Sequence, residues 1–210
     1  MKVTLMAFLS VDGVSQGPGA RDEDTDGGFA EGGWFYPYGD QAFGNLVVNW
    51  VAKADAFLFG RRTYEGFARH WPKLADPADP VASRLNGLPK YVASNSLVRG
   101  EWGPSMILAG DVPRTVAELK RQPGRELQIH GSARLAQSLL AAGTIDELRL
   151  VIAPVVVGSG RRLFASDGML TGLRLLSHET TPSGLAIQVY EPAEAPIHRE
   201  TATILDGDAG

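Results

Sequence analysis

The order of strand-like and helix-like segments is the feature that most constrains the fold of this 210-residue chain. Up to about residue 143, short apolar runs typical of buried strands alternate with segments of helical periodicity. Beyond that point, strand-like segments follow one another directly. Alternation predicts parallel strands joined by crossover helices, and consecutive strands predict antiparallel pairing. We therefore expect an α/β fold of three layers, with helices on both faces of a mostly parallel sheet and an antiparallel C-terminal part.

Local signals predict the individual elements. Apolar residues spaced as on one face of a helix predict a helix over residues 40–53, with Asp40 as its N-cap. Thr63 is expected to cap a second helix that ends at His70. The Pro- and Asp-rich residues 75–89 are expected to form a surface connection, and the β-branched residues 146–158 one long strand bent at Pro154.

Composition excludes several classes of protein. The net charge is −4 and no long basic run occurs, so nucleic acid is not expected as a partner. No apolar stretch is long enough to cross a membrane. The chain has no cysteine, and its four histidines lack metal-ligand spacing, so no metal site is predicted. We expect a cytoplasmic protein with one domain over residues 1–192 and a loosely ordered tail over residues 193–210.

Three predicted strands end in residues suited to binding phosphate. Gly60 allows a sharp turn into a helix, and a helix N-terminus offers free N–H donors and a partial positive charge. Each signal also has an ordinary structural interpretation. The two arginines are then surface residues beside Glu65, Ser132 is only a helix N-cap, and Ser94 and Asn95 form a simple turn. One dinucleotide would span all three if the strands are neighbours. The candidates are Gly60, Arg61, Arg62 and Thr63 after one strand, Ser94 and Asn95 after a second, and His130, Gly131 and Ser132 after a third.

Neither common nucleotide fingerprint is present. No G-x-G-x-x-G follows the first strand, and no G-x-x-x-x-G-K-[ST] occurs. The segments FLSVDGV, ADAFLFGRRTYEGFARHWP, KYVASNS, LQIHGSARLAQSLL and GTIDELRLVIAPVVVGSGRRLF instead resemble the dihydrofolate reductase superfamily. More closely, the chain is similar to the stand-alone form of the riboflavin-biosynthesis reductase domain, the C-terminal domain of the bacterial bifunctional deaminase-reductase. The resemblance covers roughly residues 1 to 190.

This resemblance implies a dihydrofolate-reductase-like fold with NADPH stretched across the carboxyl edge of the sheet. The residues at the three strand ends match the family's cofactor loops, and the arginine pair suits the 2′-phosphate that distinguishes NADPH from NADH. The family usually has a Gly-Gly pair where this chain has His130 before Gly131. A side chain there is expected to alter the local peptide geometry or narrow the site.

Fewer residues are candidates for catalysis and substrate binding than for cofactor binding. Asp40 is either a proton-supporting acid or only an N-cap, and Asp12 either lies near the nicotinamide and substrate or is a turn residue. Trp34 and Tyr36 are candidates for stacking on a flat substrate, or else cover the core. The loop of residues 14–33 is expected to shape the pocket, and residues 158–164 are expected either to close over the cofactor or to form a hairpin turn.

Three functions remain open. The first is an NADPH-dependent reductase of a small heterocyclic or carbonyl-type substrate. The second is a true dihydrofolate reductase, which is disfavoured because the helix interior offers Asn45 and Asn49 rather than an acid. The third is a non-catalytic nucleotide-binding protein that retains the fold. The resemblance also implies a homodimer, to which the strand within residues 148–158 is expected to contribute.

Overall fold

The computed structural model describes residues 1–74, 76–164 and 170–195, which form one mixed sheet with helices on both sides. Three short 3-10 helices lie at Asp26–Gly28, Tyr36–Tyr38 and Trp71–Lys73. The other elements, in chain order, are β1 (Lys2–Ser10), α1 (Gln41–Val51), β2 (Ala54–Gly60), α2 (Arg61–His70), α3 (Pro80–Gly87), β3 (Lys90–Ala93), β4 (Ser105–Leu108), α4 (Val112–Lys120), β5 (Glu126–His130), α5 (Ala133–Ala141), β6 (Glu147–Ala153), β7 (Gly172–Thr180) and β8 (Ala186–Ala193).

The eight strands form one sheet in the order β4-β3-β2-β5-β1-β6-β8-β7. The strands from β4 to β6 in this order pair in parallel, whereas β8 pairs antiparallel with both β6 and β7. The predicted α/β fold with an antiparallel C-terminal part is therefore confirmed. Six parallel strands place their carboxyl ends at one edge of the sheet, which is where ligands bind in open α/β sheets.

Alternating side chains give the sheet its two covered faces. Along β5, Leu127 and Ile129 point to the face that α4 and α5 cover, whereas Glu126, Gln128 and His130 point to the opposite face. Helices α1, α2 and α3 cover that opposite face through a second apolar cluster around Phe57. No helix in the described part of the chain is long and apolar enough to cross a membrane.

Three sequence-based expectations about elements are wrong. Residues 75–89 contain α3, because Asp79 caps the helix through hydrogen bonds from the N–H groups of Val81 and Ala82 and a proline is tolerated in the first turn. β6 ends at Ala153 rather than bending at Pro154. β6 is also buried between β1 and β8, so residues 148–153 of the segment expected at a dimer interface are not available for one.

The described part of the chain does not test the predicted domain boundary fully. β8 extends to Ala193, which places the first residue of the predicted tail in the sheet. Residues 196–210 lie outside the described residues, as do residues 165–169. The boundary at residue 192 stays a prediction.

Candidate functional site

The three candidate strand ends are neighbours at the carboxyl edge. β2 pairs with β3 on one side, with Gly60 opposite Ala93, and with β5 on the other, with Leu58 opposite Ile129. The residues that follow these strands therefore meet at one edge. This satisfies the geometric condition for one dinucleotide to span all three.

Ser132 joins two of these strand ends. Its Oγ accepts a hydrogen bond from the backbone N–H of Gly60 at 2.9 Å and donates to the carbonyl of His130 at 3.2 Å. Ser132 has φ of 58°, in the left-handed region, and its side chain does not cap α5. The ordinary N-cap interpretation of this serine is therefore wrong, because its hydroxyl group holds β2 beside β5 instead.

Helices α2 and α5 both begin at this junction. In the described part of the chain, no side chain caps the N-terminus of either helix. Their first N–H groups therefore remain available to a ligand, and the positive ends of both helix dipoles favour an anion. The α2 N-cap is Gly60, so the expectation that Thr63 caps this helix is wrong.

Gly131 has a backbone conformation that favours glycine. Its φ is +56°, and a Cβ there would lie 3.5 Å from Thr63 Cγ2. Thr63, in the first turn of α2, therefore lies directly beside the turn that precedes α5. The structure thus brings Gly60, Thr63, Gly131 and Ser132 together in one small surface.

Ser94 and Asn95 form the turn after β3. Ser94 Oγ accepts hydrogen bonds from the N–H groups of Ser96 and Leu97 at 3.2 and 2.9 Å. Asn95 Oδ1 accepts the N–H of Gly110, which follows β4, at 2.9 Å. These contacts account for both residues as turn formers and leave Ser94 half-buried beside the candidate site.

The two arginines of α2 both have acidic partners. Arg61 forms an ion pair with Glu65 at 3.2 Å, one helical turn away, and its side chain is half-exposed. Arg62 forms an ion pair with Asp26, which belongs to the long loop between β1 and α1. Arg161 lies within reach of the same carboxylate, at 3.4 Å. Sequence analysis missed Arg161 as an individual residue because no local pattern joins it to residues more than 130 positions away.

His130 does not project into the site. Its ring is buried, 5% exposed, and packs edge-on against Phe57 and Phe59. Burial lowers its pKa to about 3, and the Arg149 guanidinium adds to this shift. Nε2 lies 3.2 Å from Gln128 Oε1, so a neutral imidazole with its proton on Nε2 satisfies this contact. The expectation that this side chain narrows the site is wrong, because the alternation of β5 directs it into the core.

Both candidate acids are occupied by backbone donors. Asp40 caps α1 by accepting the N–H of Phe43 at 2.8 Å, and its second oxygen accepts the N–H of Ser183 at 3.0 Å. Asp12 accepts the N–H groups of Val157 and Gly158 at 3.0 and 2.9 Å. The hydrogen bond from the Phe43 N–H is the main cause of the lowered pKa of Asp40. The hydrogen bond from the Ser10 hydroxyl group is the main cause of the lowered pKa of Asp12.

The two candidate aromatic residues differ in exposure, with Trp34 half-buried and Tyr36 exposed. Tyr36 is 79% exposed. Trp34 packs edge-on against Phe35, and its Nε1 donates to the Gln16 carbonyl at 2.8 Å. Phe8 is an aromatic residue of this region that is not among the candidates from the sequence. Its half-buried ring stacks on Phe35, with ring centroids 4.6 Å apart.

The sequence of the chain matches a known protein family. The family model described as RibD C-terminal domain matches residues 1–187. The chain belongs to this family. The uncharacterized protein YyaP of Bacillus subtilis (strain 168) is 29% identical over 146 residues, which are 68% of this chain and 77% of that protein.

Solved structures share the fold at lower identity. A putative riboflavin biosynthesis protein from Shewanella sp. PV-4 superimposes with a TM-score of 0.69 at 18% identity, over 92% of this chain and 100% of that chain. Dihydrofolate reductase from Enterococcus faecalis, complexed with NADP(H) and RAB-propyl, gives a TM-score of 0.58 at 12% identity, over 92% and 97% of the chains. The fold is therefore that of dihydrofolate reductases, as the sequence predicts.

The neutral state of buried His130 predicts a specific loss of stability in acid. Its pKa in the fold, about 3, lies below the 6.5 of an exposed histidine, so below pH 6.5 the unfolded chain binds a proton that the fold excludes. The free energy of unfolding should therefore fall as the pH falls, by up to about 1.4 kcal/mol per pH unit. His130→Gln should remove this part of the slope between pH 7 and pH 5 in urea titrations.

The comparison between the variant and the wild type separates His130 from carboxylates that titrate at lower pH. His178→Gln, on the exposed strand β7, controls for the loss of an imidazole elsewhere. Equal slopes in wild type and His130→Gln would show that His130 accepts a proton without unfolding.

Proposed function

We propose that this protein is an NADPH-dependent reductase of a small heterocyclic or carbonyl-type substrate. The observation that carries the proposal is the junction at Ser132, where two adjacent parallel strands lead into two helix N-termini without side-chain caps. The E. faecalis dihydrofolate reductase, which shares the fold, is complexed with NADP(H), and this supports a nicotinamide cofactor at the same edge.

The residues of the junction fit such a cofactor. The N–H groups at the starts of α2 and α5 would hold the pyrophosphate, with Gly131 allowing close approach of the backbone. Arg61 and Ser94 would hold the 2′-phosphate, since a guanidinium group binds phosphate oxygens with two parallel hydrogen bonds. His130 would contribute only its backbone, because its side chain lies in the core.

When bound, NADPH would supply a hydride. The chain's own part is to position the reactants and to manage the proton. Asp12 and Asp40 are ionised and hydrogen-bonded to backbone N–H groups, which makes them poor proton donors. We therefore assign both a positioning role: Asp12 holds residues 157–158 at the edge of the sheet, and Asp40 fixes the start of α1. Solvent would then supply the proton.

The same observation favours a second function. A nucleotide-binding protein without reductase activity would need the junction but no proton donor, and neither candidate acid is free. A true dihydrofolate reductase is less compatible with the sequence of α1, because this helix offers Asn45 and Asn49 rather than an acid. Both asparagines are exposed on the side of α1 that faces Glu179 and Thr180 of β7.

The proposal includes a homodimer formed through β7 instead of β6. β7 is the last strand at one edge of the sheet, and Leu173, Leu175 and Leu176 on it are 36–47% exposed. An apolar edge strand readily pairs with another copy of itself. Sedimentation equilibrium should give twice the chain mass of 22.5 kDa for the wild type. Leu175→Glu should shift the mass towards one chain, and a monomeric wild type would contradict this part of the proposal.

The cofactor site predicts a preference that depends on Arg61. Calorimetric titration should show binding of NADPH and much weaker binding of NADH. Arg61→Ala should weaken NADPH binding about tenfold to a hundredfold, because a charge-assisted contact with phosphate contributes about 1.5–3 kcal/mol, and should leave NADH binding unchanged.

Arg69→Ala is the matched control, because it removes the same charge from the last turn of the same helix. Absence of binding by either nucleotide to the wild type would rule out the proposed cofactor. Equal losses for NADPH and NADH in Arg61→Ala would show that Arg61 does not bind the 2′-phosphate.

The reaction itself is tested by oxidation of bound NADPH. A panel of pterins, flavin precursors and quinones should contain at least one acceptor that accelerates the loss of absorbance at 340 nm. Dihydrofolate as the best acceptor would identify a dihydrofolate reductase. Tight NADPH binding without oxidation by any acceptor would favour the non-catalytic function.

A further inference from the structure

An acidic loop lies on the cations of the candidate phosphate site. Asp26 Oδ2 contacts the guanidinium group of Arg62, in the first turn of α2, and lies 3.4 Å from Arg161 Nη1. Arg161 also forms an ion pair with Asp24. Two carboxylates of the β1–α1 loop and two guanidinium groups therefore form one cluster beside the uncapped start of α2.

The loop has anchors other than the Asp26 carboxylate. Gln16 is buried, and its Nε2 donates to the carbonyls of Asp24 and Asp26, while its Oε1 accepts the N–H of Arg161 at 2.9 Å. The buried ring of Phe29 packs over Gly160, where a Cβ would lie 2.7 Å from it. Loss of the contact between Asp26 and Arg62 would therefore loosen the tip of the loop without detaching the rest of it.

The contact with Arg62 is the exposed part of this cluster. The side chains of Asp26 and Arg62 are 47% and 52% exposed, whereas those of Asp24 and Arg161 are 27% and 31% exposed. An ion pair in water contributes little to stability, commonly less than about 1 kcal/mol. A ligand that carries several phosphate charges can therefore displace Asp26 at small cost.

We propose that Asp26 is an internal competitor for the phosphate site, a latch that occupies Arg62 until an anionic cofactor displaces it. This inference rests on the proposed function, because it assigns the regulation of the same site. In the free protein the carboxylate neutralises Arg62 and the loop tip lies against α2. When pyrophosphate binds at the helix start, Arg62 turns to the phosphate oxygens and the tip around Asp26 is released.

Removal of the competing charge should strengthen cofactor binding. Asp26→Asn keeps the size of the side chain and removes the ion pair and its repulsion of the ligand, so NADPH should bind about fivefold more tightly in calorimetry. Asp22→Asn is the matched control: it removes the same charge from the same loop, and Asp22 takes part in none of the ion pairs of Arg62 or Arg161. Its affinity should stay within about twofold of wild type.

Hydrogen–deuterium exchange then tests the displacement directly. In the free protein, Asp26→Asn should raise exchange over residues 23–28 and leave α1 and β5 unchanged. NADPH added to the wild type should raise exchange over residues 23–28 and lower it at the starts of α2 and α5. A loop that closes over the ligand would instead become protected, and this outcome would overturn the latch.

The remaining outcomes separate this inference from the proposed function. If NADPH binds the wild type and Asp26→Asn equally well, the cofactor site stands and the latch is wrong. If neither protein binds NADPH, the proposed function fails and the latch on it fails too. If Asp22→Asn strengthens binding as much as Asp26→Asn, the effect is one of net charge and the latch is wrong.

Discussion

The hydrogen bond between the Gly60 N–H and Ser132 Oγ joins the parts of the molecule on which a ligand site depends. It links the end of β2 to the turn after β5, and the two bonded residues are 72 positions apart in the chain. Both strands are central in the sheet and lead directly into helices. Ser132 has a left-handed backbone conformation, and its hydroxyl group bonds Gly60 and does not cap α5, so the first N–H groups of that helix are free for an anion.

The face of the sheet below this junction is polar along β5, and this explains why a histidine is tolerated at the strand end. Glu126 pairs with Arg149 of β6 at 2.7 Å, and Gln128 donates to Glu126 and lies beside His130. Every buried side-chain nitrogen and oxygen in the described part of the chain has a partner. The neutral imidazole completes this chain of hydrogen bonds, whereas a charged one would lie in the field of Arg149 without compensation.

Much of the fold could be predicted because its signals are local. The helix predicted over residues 40–53 corresponds to α1, and Asp40 caps it as its sequence indicates. The Pro and Asp content of residues 75–89 indicates a surface connection and hides α3, although proline at the start of a helix loses no hydrogen bond. The adjacency of the three strand ends needed only the order of strands. The ion pairs of Asp26 could not be predicted, because they depend on how residues 14–33 and 158–164 pack together, and no periodicity encodes that contact.

The charge balance at the edge of the sheet explains why such a loop would be acidic. Arg61, Arg62 and Arg161 lie near two positive helix ends, and without partners they would repel one another in the free protein. Glu65, Asp26 and Asp24 remove that repulsion. Neutralisation from within a helix, as by Glu65, stays in place when a ligand binds, because the helix fixes the partner. A carboxylate on a loop, by contrast, can move away from its arginine when a ligand binds. A site built with both kinds of partner therefore keeps the free protein stable, and the exposed position of Asp26 makes it the partner that leaves when Arg62 binds phosphate.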